Sequence, residues 1–310
     1  MPSTSFDKIS RKLEDCVERE DYYQAQQLCL SLYRRRKKKD ESEAYDVLVS
    51  GARILLRSYD AEPSRHDWTT AASELAVTLS KGYLDARAPF VPANLDRIHA
   101  ILDAMDGTAA TSPPPSEAAR QMCERFVEQS AKWCLLFDRE TEAEALHEKF
   151  GNYALRVSEV CDPPRFGWAL LQAMKGNSLR SIARVIAAVA RRGSPDEEDL
   201  LVSKVVLRFV NFRMKQRKPL KKEVYSALSV YQEETSRWVP DTPVSHFLQM
   251  ALRSLEASSL GLLTGLRERY ATALGQDASL LREVDLIIER LKPQKSWGDP
   301  LSSLFKTLLR

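Results

Sequence analysis

Apolar residues recur at intervals of three and four along most of the chain, which is the spacing of one face of an α-helix. The stretch from Asp21 to Leu56 shows this most clearly, because it divides into two such helices. The apolar stripe of the first comprises Tyr22, Ala25, Leu28 or Cys29, and Leu32. The apolar stripe of the second comprises Ala44, Val47, Leu48, Gly51, Ala52 and Leu55. Small residues in the second stripe would let a neighbouring helix approach closely, and an antiparallel pair of this kind is the unit of an α-solenoid.

The same spacing predicts about fourteen helices, and no alternating strand pattern interrupts them. We therefore predict an all-α fold, an α-solenoid of antiparallel helix pairs forming a tetratricopeptide-like right-handed superhelix. Residues 1–310 are expected to form this single solenoid. The segment Gly107 to Ser116, which contains three consecutive prolines, is predicted to be an exposed loop between repeats.

Composition limits the kind of partner and the compartment. The 46 Lys and Arg residues against 43 Asp and Glu residues leave a net charge of +3, so a basic site must be a local patch. Five cysteines contain no CxxC pair, which favours reduced thiols in the cytosol. No apolar run approaches the roughly 20 residues that span a bilayer, and the first residues lack the apolar core of a signal peptide. We expect a cytosolic chain that does not insert into a membrane.

Enzyme motifs are absent from the sequence. It contains no HExxH, GxSxG, GxxxxGK[ST] or GxGxxG pattern, and its four histidines are far apart. We therefore predict no enzymatic activity, no metal site and no cofactor. A site assembled from scattered residues would leave no such signature, and nothing in the chain points to one.

Two basic clusters stand out. Six consecutive bases, Arg34 to Lys39, close the first helix of the pair described above. Bases at a helix C-terminus complement the helix dipole, so this run is either a solvated surface or a site for an acidic protein partner. A localisation signal is a further reading, whereas nucleic-acid binding is disfavoured because no aromatic residues are interleaved. The second cluster, within 215–222, is interpreted as a solvated turn.

Two features near the C-terminus suggest packing surfaces. Gly261 and Gly265 have the small-xxx-small spacing of a helix contact in a soluble protein. An amphipathic stripe near the chain end either folds back or binds a partner. Its residues are Leu301, Leu304, Phe305, Leu308 and Leu309.

Several segments, taken in order, resemble a known family. These are Tyr23-Gln24-Ala25-Gln26-Gln27, Glu43-Ala44, Ser50-Gly51-Ala52, Ala131-Lys132-Trp133, Arg269-Tyr270 and Val284-Asp285-Leu286-Ile287. They resemble the YxxAxQ helix, the SGA helix, the ALKW segment and the final helix pair of the Golgi-to-ER traffic protein four family. That family supplies the adaptor subunit of the cytosolic pathway that delivers tail-anchored proteins to the endoplasmic reticulum.

The resemblance implies a non-enzymatic solenoid with two binding regions. Its N-terminal half, about 1–150, would bind the targeting ATPase, and its C-terminal half, about 151–310, would bind a ubiquitin-like-domain subunit. Positions carried over to the ATPase face are Lys8, Arg11, Lys12, Tyr23, Arg35, Lys39 and Asp67. We expect the partner on the other side to meet an apolar surface formed by Leu262, Leu263, Leu266, Leu286 and Ile287.

The chain departs from the fungal members of the family in one region. They carry a β-hairpin in the C-terminal half, whereas residues Asn211 to Val244 show no hairpin pattern. The C-terminal tail is more similar to the animal form, whose partner is a large ubiquitin-like scaffold protein. Either that scaffold or the ubiquitin-like-domain subunit is therefore the expected C-terminal partner.

The function predicted from the sequence is an adaptor that tethers a ubiquitin-like-domain chaperone module to the targeting ATPase. The alternative is a helical-repeat scaffold subunit of another cytosolic multiprotein assembly. A winged-helix end would favour that alternative, and none is recognisable in the sequence.

Overall fold

The computed structural model describes residues 5–57, 67–109, 114–161, 164–194, 197–237 and 239–292. Within these ranges the chain consists of α-helices, their connections and one short 3₁₀-helix, with no strand, so the all-α prediction is confirmed. The first seven helices are α1 (Ser5–Glu18), α2 (Tyr22–Lys37), α3 (Glu41–Arg57), α4 (Asp67–Ala86), α5 (Pro92–Thr108), α6 (Glu117–Leu135) and α7 (Glu140–Val160). The later ones are α8 (Phe166–Lys175), α9 (Leu179–Ala190), α10 (Glu198–Lys215), α11 (Ala227–Thr235), α12 (Pro243–Glu256), α13 (Leu260–Arg269), α14 (Ala271–Leu274) and α15 (Ala278–Leu291). The 3₁₀-helix, Lys222–Ser226, precedes α11.

Local sequence explains many of the helix ends. Asp21 caps α2 by accepting a hydrogen bond from the Gln24 backbone N–H at 2.9 Å. Thr242 and Ser245 form a capping box at the start of α12. Seven non-glycine residues with positive φ follow helix ends: Glu20, Arg87, Asp138, Asn177, Arg217, Ser236 and Ser258. Because glycine usually occupies such positions, these ends carry no simple sequence signal.

The chain divides into two compact units, residues 1–185 and 186–310. This division lies within α9. In the first unit α2 packs on α3, α3 on α4, α4 on α6, and α7 on α8. Each helix thus buries its apolar stripe against neighbours in the stack, as in a solenoid.

Four aromatic rings, here called the aromatic series, run through the first unit from α2 to α6. The ring centroids of Tyr33 and Tyr45 are 6.3 Å apart, those of Tyr45 and Tyr83 4.6 Å, and those of Tyr83 and Trp133 5.1 Å. Trp133 is fully buried, and its Nε1 donates a hydrogen bond to the Ala88 carbonyl oxygen at 2.8 Å. The aromatic series therefore joins α2, α3, α4 and α6 through the core.

The seam between α2, α3 and α4 depends on a glycine. All six residues predicted for the stripe of α3 are buried, which confirms that stripe. Gly51 is one of them, and a Cβ added there would collide with Cys29 Sγ and come within 3.1 Å of Leu75 Cδ1. The absence of a side chain at this position is therefore what lets α2 and α4 approach α3 so closely.

The predicted stripe of α2 needs a correction at its end. Tyr22, Ala25 and Cys29 are buried as expected, but Leu32 is only half-buried and Tyr33 takes the core position. Positions 32 and 33 both fit the helical period from residue 29. Tyr33 is favoured because its ring contacts the ring of Tyr45.

The second unit is organised around α10, which packs on α12 and α15. Glu198, at the start of α10, is 4% exposed. Its carboxylate accepts hydrogen bonds from Arg237 Nε at 2.8 Å, Arg237 Nη2 at 2.5 Å and Tyr231 Oη at 2.6 Å. The Arg237 guanidinium holds the pKa of Glu198 below its ordinary value. Farther along α10, Asn211 Nδ2 donates to the backbone oxygen of Glu283 on α15 at 2.8 Å.

Three local expectations are corrected or limited by the structure. Gly107 lies inside α5 and does not begin a loop, and residues 110–113 are outside the described part. Gly261 and Gly265 make no helix contact, because a Cβ at either would have no neighbour within 4 Å. The described residues between Asn211 and Val244 form helix and connections without a strand, in keeping with the absence of a hairpin pattern. The leucine stripe predicted for 301–309 lies outside the described residues.

Candidate functional site

Tyr23 is the most exposed large hydrophobic side chain among the described residues, at 71%. Its neighbour Tyr22 is 4% exposed and belongs to the core. The cap by Asp21 fixes the first turn of α2, and successive side chains on a helix point about 100° apart. An aromatic ring held outward by an ordered helix turn has the properties of an interface anchor.

The basic run Arg34 to Lys39 crosses the C-terminal end of α2 and is partly neutralised within the chain. Arg36 pairs with Glu43, and Lys37 Nζ lies 3.9 Å from Glu41 Oε1. The other four bases are exposed and form no ion pair with any described residue. They are Arg34, Arg35, Lys38 and Lys39.

The exposed bases at the end of α2 differ in whether they lie on the same side of the helix as Tyr23. Arg34 follows Tyr23 by eleven residues, about three turns, so the two lie on one side of α2 about 16 Å apart along its axis. Arg35 is displaced from that line by about 100°. Arg34, which shares the direction of Tyr23, was not among the predicted positions, although the helical period places it there.

The outer side of α1 carries both signs of charge. Arg11 and Lys12 are exposed, and so are Glu14, Asp15 and Glu18. The bases that lack an excess of neighbouring acids are thus those at the C-terminal end of α2, about 16 Å or more along the helix from Tyr23. We use the name Tyr23 surface for Arg11, Lys12, Tyr23, Arg34, Arg35 and Lys39.

Two further predicted positions lie in described helices, but their side chains do not belong to the described part. Lys8 is in α1, and Asp67 is the first residue of α4. The Tyr23 surface is accordingly defined without them.

The apolar residues predicted to bind the C-terminal partner differ in how far their side chains are exposed. Leu262 is 61% exposed on α13, whereas Leu266 and Leu286 are half-buried. Leu263 and Ile287 are each 1% exposed, because α13 packs on α12 and α15 and these two side chains form part of that core. The predicted partner surface is therefore reduced to Leu262, Leu266 and Leu286, here called the α13 surface.

One exposed apolar residue of the second unit was missed. Met250 on α12 is 46% exposed, and its Sδ lies 3.8 Å from Tyr270 Oη. The Tyr270 ring in turn lies 5.8 Å from the Phe247 ring. An exposed methionine at the edge of an aromatic contact can adapt to a partner's side chains.

The buried and half-buried histidines and cysteines of the described chain have environments typical of structural residues. The half-buried His99 has its pKa lowered chiefly by burial, and the ring Nδ1 of buried His147 lies 3.0 Å from Gln172 Oε1. Burial raises the pKa of the Cys29 thiol to about 12 and that of Cys123 to about 11. Among the described residues no three His, Cys, Asp or Glu side chains come together as a metal site requires. No helix in that same part of the chain is both long enough and apolar enough to cross a bilayer.

Known proteins match this chain along nearly its whole length. The family model of Golgi to ER traffic protein 4 matches residues 38–309. The Golgi to ER traffic protein 4 homolog of Takifugu rubripes is 23% identical over 308 residues, 97% of this chain and 87% of that protein. The Homo sapiens homolog is 21% identical and covers 97% of this chain and 86% of its own length. The crystal structure of C. therm. Get4 superposes with a TM-score of 0.67 at 19% identity, over 98% of this chain and 95% of that one. That likeness shows the fold, an α-helical solenoid.

Proposed function

The chain belongs to the Golgi to ER traffic protein 4 family, and on that premise we propose that it is a non-enzymatic adaptor in the delivery of tail-anchored membrane proteins to the endoplasmic reticulum. In this role it binds a targeting ATPase with its first unit and a ubiquitin-like-domain partner with its second. The family supports a role in traffic directed to the endoplasmic reticulum. The partners and the cytosolic location are part of the proposal.

The observation that carries the proposal is the Tyr23 surface. It combines a 71% exposed ring with bases that have no ion pair with any described residue. Aromatic anchors supply binding energy when a partner covers them, and exposed charges mainly speed the encounter. A partner with an acidic surface and a pocket for the ring fits both features.

The α13 surface supports a second contact. Leu262 presents an apolar side chain to solvent, and the ion pair of Arg267 with Asp285, at 2.5 Å, ties α13 to α15. A leucine on a fixed helix can enter an apolar groove at small entropic cost. The proposed occupant is the ubiquitin-like-domain subunit, or the large ubiquitin-like scaffold protein in its place.

The proposed mechanism is tethering. Holding a substrate-loaded chaperone module and the ATPase on one chain raises the local concentration of substrate at its acceptor. The adaptor needs no reacting group for this.

The ATPase contact is tested by binding kinetics with purified targeting ATPase. Tyr23→Ala should raise the dissociation rate at least tenfold, because a buried aromatic anchor is worth more than about 1.4 kcal/mol. Tyr23→Phe keeps the ring and is the matched control. Equal dissociation rates for Tyr23→Ala and the unaltered chain would show that Tyr23 is not part of the ATPase contact.

The two neighbouring arginines test the geometry of the same contact. Arg34→Glu should slow association at low salt more than Arg35→Glu, because Arg34 shares the side of α2 on which Tyr23 lies. The two variants carry the same charge change one residue apart, so each controls for the other. A larger effect from Arg35→Glu would place the ATPase on a different side of the helix.

The C-terminal contact is tested by co-purification with the ubiquitin-like-domain subunit. Leu262→Ser should reduce recovery of the complex, whereas Leu171→Ser should not, although Leu171 on α8 is also exposed, at 41%. If both variants recover the partner fully, the α13 surface is not its binding site.

A further inference from the structure

Three helix connections of the first unit lie side by side, those between α2 and α3, α4 and α5, and α6 and α7. Arg97, in the second turn of α5, ties the start of α5 to the start of α3, because its Nε donates to Asp46 Oδ1 at 2.7 Å and its Nη2 to Ser42 Oγ at 2.7 Å. Trp133 joins the second and third through its hydrogen bond to the Ala88 carbonyl oxygen. We call this row of connections the turn edge.

One end of the turn edge is apolar. Val91, Leu135 and Leu136 are 39%, 48% and 54% exposed. They account for three of the eight large hydrophobic residues exposed in the described part of the chain. Beneath them, Phe90 lies with its ring 5.1 Å from that of Trp133. A cluster of exposed apolar side chains on an ordered aromatic base is a feature of binding surfaces, whereas single exposed leucines are common.

The charges near the apolar end are of both signs. Arg87 and Lys132 are exposed, but so are Asp85 and Asp138. Arg139 covers the Phe90 ring at 5.2 Å. These groups form a mixed polar rim around the leucines, which is the usual anatomy of a protein interface.

The other end of the turn edge is basic. It carries the four exposed bases of the run Arg34 to Lys39 that have no ion pair with described residues. Asp40, the residue that follows the run, accepts a hydrogen bond from the Glu43 backbone N–H at the start of α3. The aromatic series connects the two ends, since Tyr33 lies beneath the basic run and Trp133 beneath the leucines.

We propose that the turn edge is a docking site for one helical segment of a partner protein, acidic in one half and carrying large apolar side chains in the other. The successive centroid separations of the aromatic series, 6.3, 4.6 and 5.1 Å, set an upper limit on the distance between its two ends, and a helix of about a dozen residues, about 18 Å long, is enough to cover it. Its apolar side chains cover Leu135 and Leu136, and its carboxylates meet the bases of Arg34 to Lys39.

Charge argues against two other occupants. The rim beside the leucines carries the acids Asp85 and Asp138 among its bases, whereas membrane-surface sites usually carry bases alone on the rim of the apolar face. The chain's own segment 293–310 contains Lys295, Lys306 and Arg310 but only one acid, so it does not complement the basic end. The proposal does not depend on the proposed ATPase role, although both use the bases at the end of α2.

The proposal is tested by selecting peptides that bind the full chain. A displayed library of random 16-residue peptides is panned on the unaltered protein, and the enriched peptides are measured by fluorescence anisotropy. We expect them to combine an acidic cluster with leucine, isoleucine, methionine or phenylalanine. Their affinity should fall at least tenfold on Leu135→Ser with Leu136→Ser, and it should fall and lose salt dependence on Arg34→Glu with Lys38→Glu.

Two control variants separate this site from others. Val160→Ser removes a residue that is 49% exposed at the far end of α7, about 30 Å along the helix from the turn edge, and should leave peptide affinity unchanged. Tyr23→Ala should also leave it unchanged, although it weakens the proposed ATPase contact. Failure of the ATPase proposal and failure of this one are thereby distinguished.

Four results would overturn the proposal. These are the absence of any enriched peptide, enriched peptides without acidic residues, equal affinity for the serine double variant, and equal loss with Val160→Ser. If vesicles of phosphatidylcholine and phosphatidylserine bind the unaltered chain but not the variant with Leu135→Ser and Leu136→Ser, the turn edge binds a membrane and not a peptide. Self-association abolished by the double variant, in sedimentation velocity, would assign the edge to a second copy.

Discussion

Replacing Gly51 with alanine has two opposing effects on the free energy of unfolding. An alanine in a helix is more favourable than glycine by about 0.8–1 kcal/mol, because the unfolded glycine backbone is more mobile. At position 51, however, the new methyl group meets Cys29 Sγ and Leu75 Cδ1, and both of these side chains are fully buried. Overpacking a core of this kind costs about 1–3 kcal/mol.

We therefore expect Gly51→Ala to lower the free energy of unfolding by up to about 2 kcal/mol. For a unit of this size each 1 kcal/mol lowers the thermal midpoint by about 2–4 °C. Thermal and urea unfolding followed by circular dichroism would measure the change.

Two further variants test whether the clash of the added methyl group causes the loss of stability. Gly265→Ala is the matched control, because that helix glycine has no atom within 4 Å of its missing side chain. It should raise stability by about 0.5–1 kcal/mol. The two single changes, Cys29→Ala and Gly51→Ala, each alter the free energy of unfolding. The double variant should be more stable than the sum of these two changes predicts, by at least about 1 kcal/mol, because the new methyl group occupies the space left by sulfur. If Gly51→Ala stabilises the chain as Gly265→Ala does, the seam is not packed as described.

Three more outcomes are expected. Trp133→Phe should cost about 1–3 kcal/mol in urea unfolding, because it leaves the buried Ala88 carbonyl without its donor, and an unchanged midpoint would contradict this. The lowered pKa of Glu198 stabilises the fold above the ordinary carboxyl pKa of about 4.3, and this stability is lost as the pH falls through the lowered folded pKa. Glu198→Gln should therefore show a smaller loss of stability between neutral and acidic pH than the unaltered chain, whereas identical pH profiles would refute the role of Arg237. Of the five thiols only Cys161 is half-exposed, so a maleimide should label one cysteine quickly in the native chain and the others only on unfolding, and two fast thiols would be inconsistent with the described burial.

The sequence predicted the helices well because their apolar stripes are local. All six residues predicted for the stripe of α3 are buried, since small and apolar residues there share one period, and Tyr45, Val49 and Leu56 of the same helix are buried as well. The choice between Leu32 and Tyr33 could not be made locally, because it depends on the ring of Tyr45 twelve residues away. The left-handed helix ends at Arg87 and Asp138 were likewise hidden, because neither residue is glycine.

The candidate site was predicted less completely. Exposure of Tyr23 follows from its position beside Tyr22 on a helix, but the burial of Leu263 and Ile287 depends on how α13 meets α12 and α15. Leucines in an amphipathic helix look alike in sequence whether they face the core or solvent. The neutralisation of Arg36 by Glu43 also required the turn between α2 and α3 to be known.

The aromatic series gives the first unit an internal optical reporter. Light absorbed by Tyr33, Tyr45 and Tyr83 can pass by resonance transfer to Trp133, since each ring lies beside the next. The indole that receives it is hydrogen-bonded to the connection before α5. Its emission should therefore shift in colour and intensity when a ligand rearranges that connection. Docking at this edge then changes the share of the emission that Trp133 contributes, beside that of the four other tryptophans of the chain.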